Sequence, residues 1–490
     1  MAIIPRMSPR GSPFGVDVPD AGNLRQLRRG GLGMLVLLLL ASIFYQVPAL
    51  ASNRLACELF SWLFVVGALT AYWRGYIAMK TSSGQGGERQ VIVGFALAFG
   101  LVSLVIPPFH STDLFCYINR GWQQVAYDLN PYVHPLVNTP NWQLDPMFRA
   151  HWIKDVSPYG FLFEWLARGI CQIGNGNWLA TLLLFKLVCL VVYALTAWTV
   201  WKGCRRLGFA NPERVVYLFL WNPVLIVHSL VNGHNDLWMG LLASAGVLST
   251  VMGGWLWATP MLTAATLIKY ASAALLPFTV LYLGRRVGWR RSLAGVGFAG
   301  IVFAVLAWPY IGGDRRLLMP VPNVANARVH NSPAALVLFL FEQCAGPFPA
   351  LKLHLVEVTG AIKAVFWAVF LVFYSALAWN RFRSGPYDRA SYLRDCVLIQ
   401  FALICIASPK YYAWYLGMFY PLALWLPEGD RLRRVILAVT SAQLLSLTFV
   451  AQAHFLNVVL MLVVPMTWAL MSGKGKSSVG WVLAQRCLGR

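Results

Sequence analysis

From Trp178 to Trp201 the chain reads WLATLLLFKLVCLVVYALTAWTVW, and Lys202, Arg205 and Arg206 follow at once. An apolar run of this length is what an α-helix needs to cross a bilayer, at about 20 residues per span. Comparable runs occupy Leu32 to Leu50, Val91 to Pro107, Leu293 to Trp308, Leu355 to Trp379 and Val435 to Val450. Counted this way the chain holds about 12 to 14 spans, with Trp255 to Leu283 the hardest to divide. Composition agrees. Of the 490 residues 58% are hydrophobic and only 12% charged, with mean hydropathy +0.60, where a soluble domain carries about a quarter charged. The expected fold is an all-α polytopic membrane bundle. Residues 32–472 form one multi-span domain, after a disordered basic cytoplasmic leader at 1–31 and before a cytoplasmic tail at 473–490.

The formal net charge of +22 does not gather into a stripe that would suit nucleic acid. Basic residues recur between the spans instead: Arg25, Arg28 and Arg29; Arg74, Lys80 and Arg89; Lys202, Arg205, Arg206 and Arg214; Arg285, Arg286, Arg290 and Arg291; Arg381, Arg383, Arg389 and Arg394; Arg431, Arg433 and Arg434; Lys474 and Lys476. If all are cytoplasmic, the positive-inside rule places both termini inside. Trp255 to Leu283 must then cross out and return, a broken arrangement that Pro260 and Pro277 permit where protein surrounds it. The first apolar run ends in Ala49-Leu50-Ala51, which resembles a signal-peptidase site. The long polar leader and the many later spans favour an uncleaved first span. The nine cysteines form no C-x-x-C pair, and a Cys116 to Cys171 bridge stays open.

On this topology two outer connections are long, His110 to Asn177 and Ile311 to about Leu353, and long connections are more often functional. Within the first, Phe161 to Ile173 is amphipathic and suits the membrane interface. Glu164 and Arg168, at i, i+4, read there as a structural pair. Asp113 stands at the outer end of the third span, with Tyr117 and Arg120 on the same helical face. A carboxylate so placed can serve as a general base, although Ser-Thr-Asp is also ordinary helix-capping chemistry. Asn130-Pro131-Tyr132 and Ser157-Pro158-Tyr159-Gly160 read as turns, each presenting a ring that can stack on a sugar.

Asn232-Gly233-His234-Asn235-Asp236 sets four hydrogen-bonding side chains at a membrane boundary, which is costly unless they face a wet cavity or one another. A helix cap accounts for Asp236 but not for His234 and Asn235. One His and one Asp lack zinc-site spacing, so no metal is assigned. Lys269, in an apolar stretch, must reach an anion or water. Arg315, Arg316, Arg328 and His330 stand outside against the positive-inside trend, as does Lys410 in Ser408-Pro-Lys-Tyr-Tyr-Ala-Trp-Tyr415, and cations so placed point to an anionic ligand. Arg315 and Arg316 also read as solvated loop or headgroup contacts. Tyr411, Tyr412, Trp414 and Tyr415 also fit an interfacial aromatic belt.

Together, Ser111-x-Asp113-x-x-x-Tyr117-x-x-x-Gly121 followed by Asn130-Pro131-Tyr132, then Ser157-Pro158-Tyr159-Gly160, Gly233-His234-Asn235-Asp236, Lys269 ahead of Pro277, and Lys410-Tyr411-Tyr412-Ala413-Trp414-Tyr415 resemble the GT-C superfamily of polytopic glycosyltransferases. They are most similar to the polyprenyl-phosphate-mannose-dependent alpha-mannosyltransferases of bacterial envelopes. The resemblance implies a GT-C-like bundle in the inner (plasma) membrane, acting without a cofactor at its outer face. It implies transfer of a hexose, mannose above all, from a polyprenyl-phosphate sugar to a glycan or glycolipid acceptor, with Asp113 as base. The chain departs from the pattern at Tyr159-Gly160-Phe161, where the family has Tyr-Gly-Pro, and at Cys116 and Asn119.

The chemistry agrees with the residues. A sugar phosphate already has a good leaving group, so one carboxylate and cations for the departing phosphate suffice. Lys269, Arg328 and Lys410 are then expected to hold the phosphate. Tyr117, Arg120, Tyr132, Tyr159, His234, Asn235, Asp236, Tyr411 and Trp414 would shape the surrounding cavity, with membrane lipids as neighbours. A transporter or flippase would instead spread polar residues near the midplane and show paired halves. A scaffold would leave the His-Asn-Asp cluster without a purpose.

Overall fold

The computed structural model describes residues 21–81, 87–311, 329–346, 354–452 and 454–472, and these are helical or irregular, with no strand beyond a single bridge between His330 and Lys410. Helix α1 (Ala21–Gln46) packs against α2 (Arg54–Thr81) and α3 (Glu88–Val105). It takes in residues 21–31 of the expected leader, with Leu27 buried. Next come the short pair α4 (Asp113–Ala126) and α5 (Phe161–Gly174), then the long α6 (Trp178–Arg206) and α7 (Pro212–Leu220). The chain continues through α8 (Asp236–Val251), α9 (Trp255–Thr266), α10 (Leu276–Val287) and α11 (Trp289–Ile311). It closes with α12 (Pro333–Ala345), α13 (Leu355–Arg383), α14 (Arg389–Phe401) and α15 (Arg431–Ala442) before further short helical turns.

Among the described residues seven helices are long and apolar enough to cross a membrane, or eight if Pro212–Leu220 and Pro223–Val231, bent by 41°, form one span. Of the about 12 to 14 spans read from hydropathy, several fall among the described residues on shorter apolar helices, such as Asp236–Val251, Pro333–Ala345 and Phe455–Met471. Helices α9 and α10 hold 12 residues each, about 18 Å at 1.5 Å per residue, too short to span alone. A turn at Leu267 to Lys269 and a 3-10 segment at Tyr270–Leu275 join them. Pro277 sits in the first turn of α10, where its missing N–H costs nothing.

The centre of the bundle is apolar and aromatic, with Phe99, Tyr217, Trp221, Tyr420 and Trp425 sealed in it. Helix α13 is the opposite case. Val365, Val369, Leu371 and Val372 are all exposed on it, the surface expected of a helix whose partner is lipid. Asp395 accepts a two-pronged hydrogen bond from Arg381 at 2.6 and 3.0 Å and another from Tyr387 at 2.8 Å. Arg394 pairs with Asp430 and Arg214 with Glu428. The basic connections are thus cross-linked by ion pairs. Cys116 and Cys171 are buried free thiols, which corrects the possible bridge between them.

Candidate active site

Asp113 opens α4 without capping it. Thr112 holds the cap position, and the Asp113 amide donates to Ser111 Oγ at 3.2 Å. Its carboxylate turns instead to His234, whose Nδ1 lies 3.3 Å from Oδ2. Local backbone puts His234 there. The segment Ile226–Val231 is a π-helical turn, a widened geometry frequent at functional sites. Gly233 then adopts φ +69°, a left-handed conformation natural to glycine, so that the His234 amide donates back to the His228 carbonyl at 3.0 Å. Asn232 Oδ1 accepts from the amides of Phe109 at 3.2 Å and His110 at 3.4 Å, clasping the connection that delivers Asp113.

The far face of His234 is covered by Trp414, with ring centres 4.0 Å apart and planes within 10°, and Trp414 stacks in turn on Tyr412 at 4.5 Å. The rings of this segment thus form a wall against His234, with Tyr411 buried and Tyr412, Trp414 and Tyr415 half-buried. Lys410 is half-buried beside it. The backbone here is held by two hydrogen bonds of 2.9 Å, His330 N–H to the Pro409 carbonyl and Tyr411 N–H to the His330 carbonyl.

Asp236 opens α8 with no capping bond from its side chain, and its Oδ1 lies 2.7 Å from Lys269 Nζ. This ion pair replaces the capping role and answers the need of Lys269 for an anion. The ammonium stands 5.0 Å over the Tyr415 ring and 5.6 Å from that of Tyr159. The Gly160 amide donates to the Ile268 carbonyl, and a Cβ on Gly160 would fall 2.3 Å from the Leu267 carbonyl oxygen. Only glycine lets the start of α5 dock so closely on the turn carrying Lys269. Tyr132 and Tyr270 hydroxyls both donate to the Tyr159 carbonyl at 2.9 Å, Asn130 holds the Tyr132 amide at 3.0 Å, and the Tyr117 hydroxyl donates to Asn235 Oδ1 at 3.3 Å. The turn motifs are the mortar of the site.

Two sequence expectations change. Arg120 donates to the carbonyls of Asp155 and Val156 with its guanidinium over the Tyr159 ring, so it braces the first long connection. Glu164 is sealed and bonded to Ser157 and Gln124, while Arg168 is exposed; their expected pairing is absent. Arg328, with Arg315 and Arg316, lies outside the described residues. His228 carries no motif and escaped notice. It packs 5.5 Å from Trp414 and 6.0 Å from His234.

Asp113 and Glu164 differ in charge tendency. Burial works to raise Asp113, but His234, Lys269 and Arg120 outweigh it and hold the group below the usual carboxylate range. Burial pushes Glu164 up against the opposing pull of Arg120, Ser157 and Gln124. An ionised acid beside an imidazole, a paired lysine and a wall of stacked rings can accept a proton from a bound hydroxyl. Among the described residues no group of three or more His, Cys, Asp or Glu is arranged to hold a metal ion.

Alpha-(1->6)-mannopyranosyltransferase A of Mycobacterium tuberculosis is 28% identical over 371 residues, 73% of this chain and 70% of its own length. Its namesake from Corynebacterium glutamicum is 24% identical over 234 residues, 42% of this chain and 47% of its own. No solved structure matches significantly. The family described as alpha-(1->6)-mannopyranosyltransferase, N-terminal domain, matches residues 31–285, a stretch that includes Asp113, His234, Asp236 and Lys269. With over half its length inside that match, the chain belongs to the alpha-(1->6)-mannopyranosyltransferase family and is a membrane glycosyltransferase.

Proposed function

We propose that the protein moves mannose from a polyprenyl-phosphate-linked mannose to a glycan or glycolipid acceptor at the outer face of the inner membrane, with both termini cytoplasmic. The observation that carries this reading is the Asp113 carboxylate, 19% exposed while the His234 that holds it is sealed. The acceptor hydroxyl gives its proton to Asp113 as its oxygen attacks the anomeric carbon on the face opposite the phosphate. The bond from carbon to phosphate oxygen breaks, the polyprenyl phosphate leaves as an anion, and the anomeric centre inverts. No strong acid is needed for so good a leaving group.

Lys269 has three N–H donors, of which Asp236 takes one, and with Lys410 and Arg328 it is the proposed partner of the phosphate. The Tyr159 and Tyr415 rings on either side of it suit a sugar face. A groove of about 1080 Å³ between α9, α10, α11 and α13, lined by residues such as Thr266, Pro277, Trp289, Phe303 and Trp379, contains none of this polar cluster, and its apolar walls suit a prenyl chain. The test is transfer from polyprenyl-phosphate mannose by the purified protein and by Asp113→Asn. Near-normal turnover of the variant at normal expression would remove Asp113 from the mechanism.

A further inference from the structure

Lys186 stands in the first half of α6, within the apolar run Trp178 to Trp201, and is 1% exposed. Its Nζ donates to the main-chain carbonyls of Ser103 at 2.8 Å, Leu104 at 3.4 Å, and Ile106. These are the last carbonyls of α3 and its cap residue, groups that no residue inside a helix can satisfy. In many helices the N–H groups of the next two residues turn back to bond them. Here the next two are Pro107 and Pro108, which have no N–H. An ammonium has three donors for three acceptors, and a cation suits the negative end of the helix dipole.

The connection that begins at these prolines ends at Asp113, and its other end is held by Asn232 on the Phe109 and His110 amides. We propose that Lys186 is a positioning residue for Asp113. As an ammonium cap supplied from a neighbouring span, it fixes where α3 stops and so where the connection delivers the carboxylate. This rests on Asp113 being the base.

The experiment compares Lys186→Met and Lys186→Gln in the full chain and in a Pro107→Ala/Pro108→Ala background, where restored N–H groups can cap α3. In the native background kcat for transfer from polyprenyl-phosphate mannose should fall about 10- to 100-fold, the cost of a misplaced catalytic group, with KM for the donor changed by about twofold at most. In the alanine background the same substitutions should cost about threefold or less, because the two sites share one set of carbonyls. Amide exchange should rise in residues 109–113 and stay unchanged through α6. Equal losses in both backgrounds, an unchanged kcat, or faster exchange throughout the bundle would overturn the proposal. Failure of both variants to fold would assign Lys186 to the bundle core and overturn it as well. If Asp113→Asn keeps its turnover, the base assignment fails, whereas the exchange result judges the cap by itself.

Discussion

Nδ1 of His234 lies 3.3 Å from Oδ2 of Asp113, joining the start of the first long connection to the break that precedes α8. An imidazole against a carboxylate favours the charged form of the acid and orients it. Trp414 stacks on a face of that imidazole, which keeps the ring plane fixed beside the carboxylate.

The sign of the pH effect follows. His234 and the cations Lys269 and Arg120 hold the Asp113 carboxyl down against burial, so the acid limb of the pH–rate profile should lie below the ordinary carboxylate value. His234→Gln removes the largest of these favourable contributions, and the limb should move to higher pH. Its loss at neutral pH should be smaller than that of Asp113→Asn, for which removal of a general base predicts about 10²- to 10⁴-fold. A limb that stays in place in His234→Gln would show that His234 does not set the charge of the base.

Trp414→Leu takes away the plate behind His234, while Trp414→Phe keeps a ring. An aromatic pair contributes about 0.5–1.5 kcal/mol beyond its buried area. The leucine variant should therefore lose several-fold in kcat and melt earlier, and the phenylalanine variant should recover most of both. Equal behaviour of the two in turnover and thermal unfolding would rule out a stacking role.

Asp236 is 1% exposed and Lys269 14% exposed as side chains, a pair held almost wholly away from water. Lys269→Met strands a buried carboxylate and should destabilise the solubilised protein by about 3–5 kcal/mol, whereas Lys269→Met with Asp236→Leu should cost less than the sum of the single changes. Additive melting shifts would mean that the two charges are not coupled. Both forms should be defective in transfer if the ammonium meets the phosphate.

Gly160 and Gly169 both lie at α5, yet a Cβ on Gly160 would meet the Leu267 carbonyl at 2.3 Å and one on Gly169 would meet nothing within 4 Å. Gly160→Ala should cost about 1–3 kcal/mol through overpacking and displace Tyr159 and Lys269, with a drop in turnover. Gly169→Ala should leave both melting and turnover near native. Parallel outcomes would deny that the close approach at Gly160 matters.

The membrane class was legible because lipid demands long apolar runs, and a chain cannot hide them. Where the helices break was not, because hydropathy is blind to a helix that stops and restarts: α9, α10 and the bent pair around Asn222 keep apolar composition while giving up length. Asp113, His234 and Lys269 stood out as polar residues at apolar boundaries. Their pairing did not, since an acid at a helix start reads equally as a cap, and both Asp113 and Asp236 turned out to spend their carboxylates elsewhere. Glu164 shows the reverse error, where i, i+4 spacing promised Arg168 and the packing of α5 on α4 offered Ser157 and Gln124 instead. Lys186 was hidden because a single lysine does not stop so long a run from reading as a span, and its partners are carbonyls that no side-chain pattern reveals.

The stacked rings carry one more implication. The matched family stretch ends at residue 285, so the acid, its imidazole and the Asp236–Lys269 pair all lie within it, while Trp414 and Tyr412 lie beyond. The carboxylate with its imidazole and the rings stacked on that imidazole are thus encoded in separate halves of the chain. A change confined to the C-terminal half, at Trp414 or Tyr412, would therefore reach His234 through the stacked rings while leaving the sequence of the matched stretch intact.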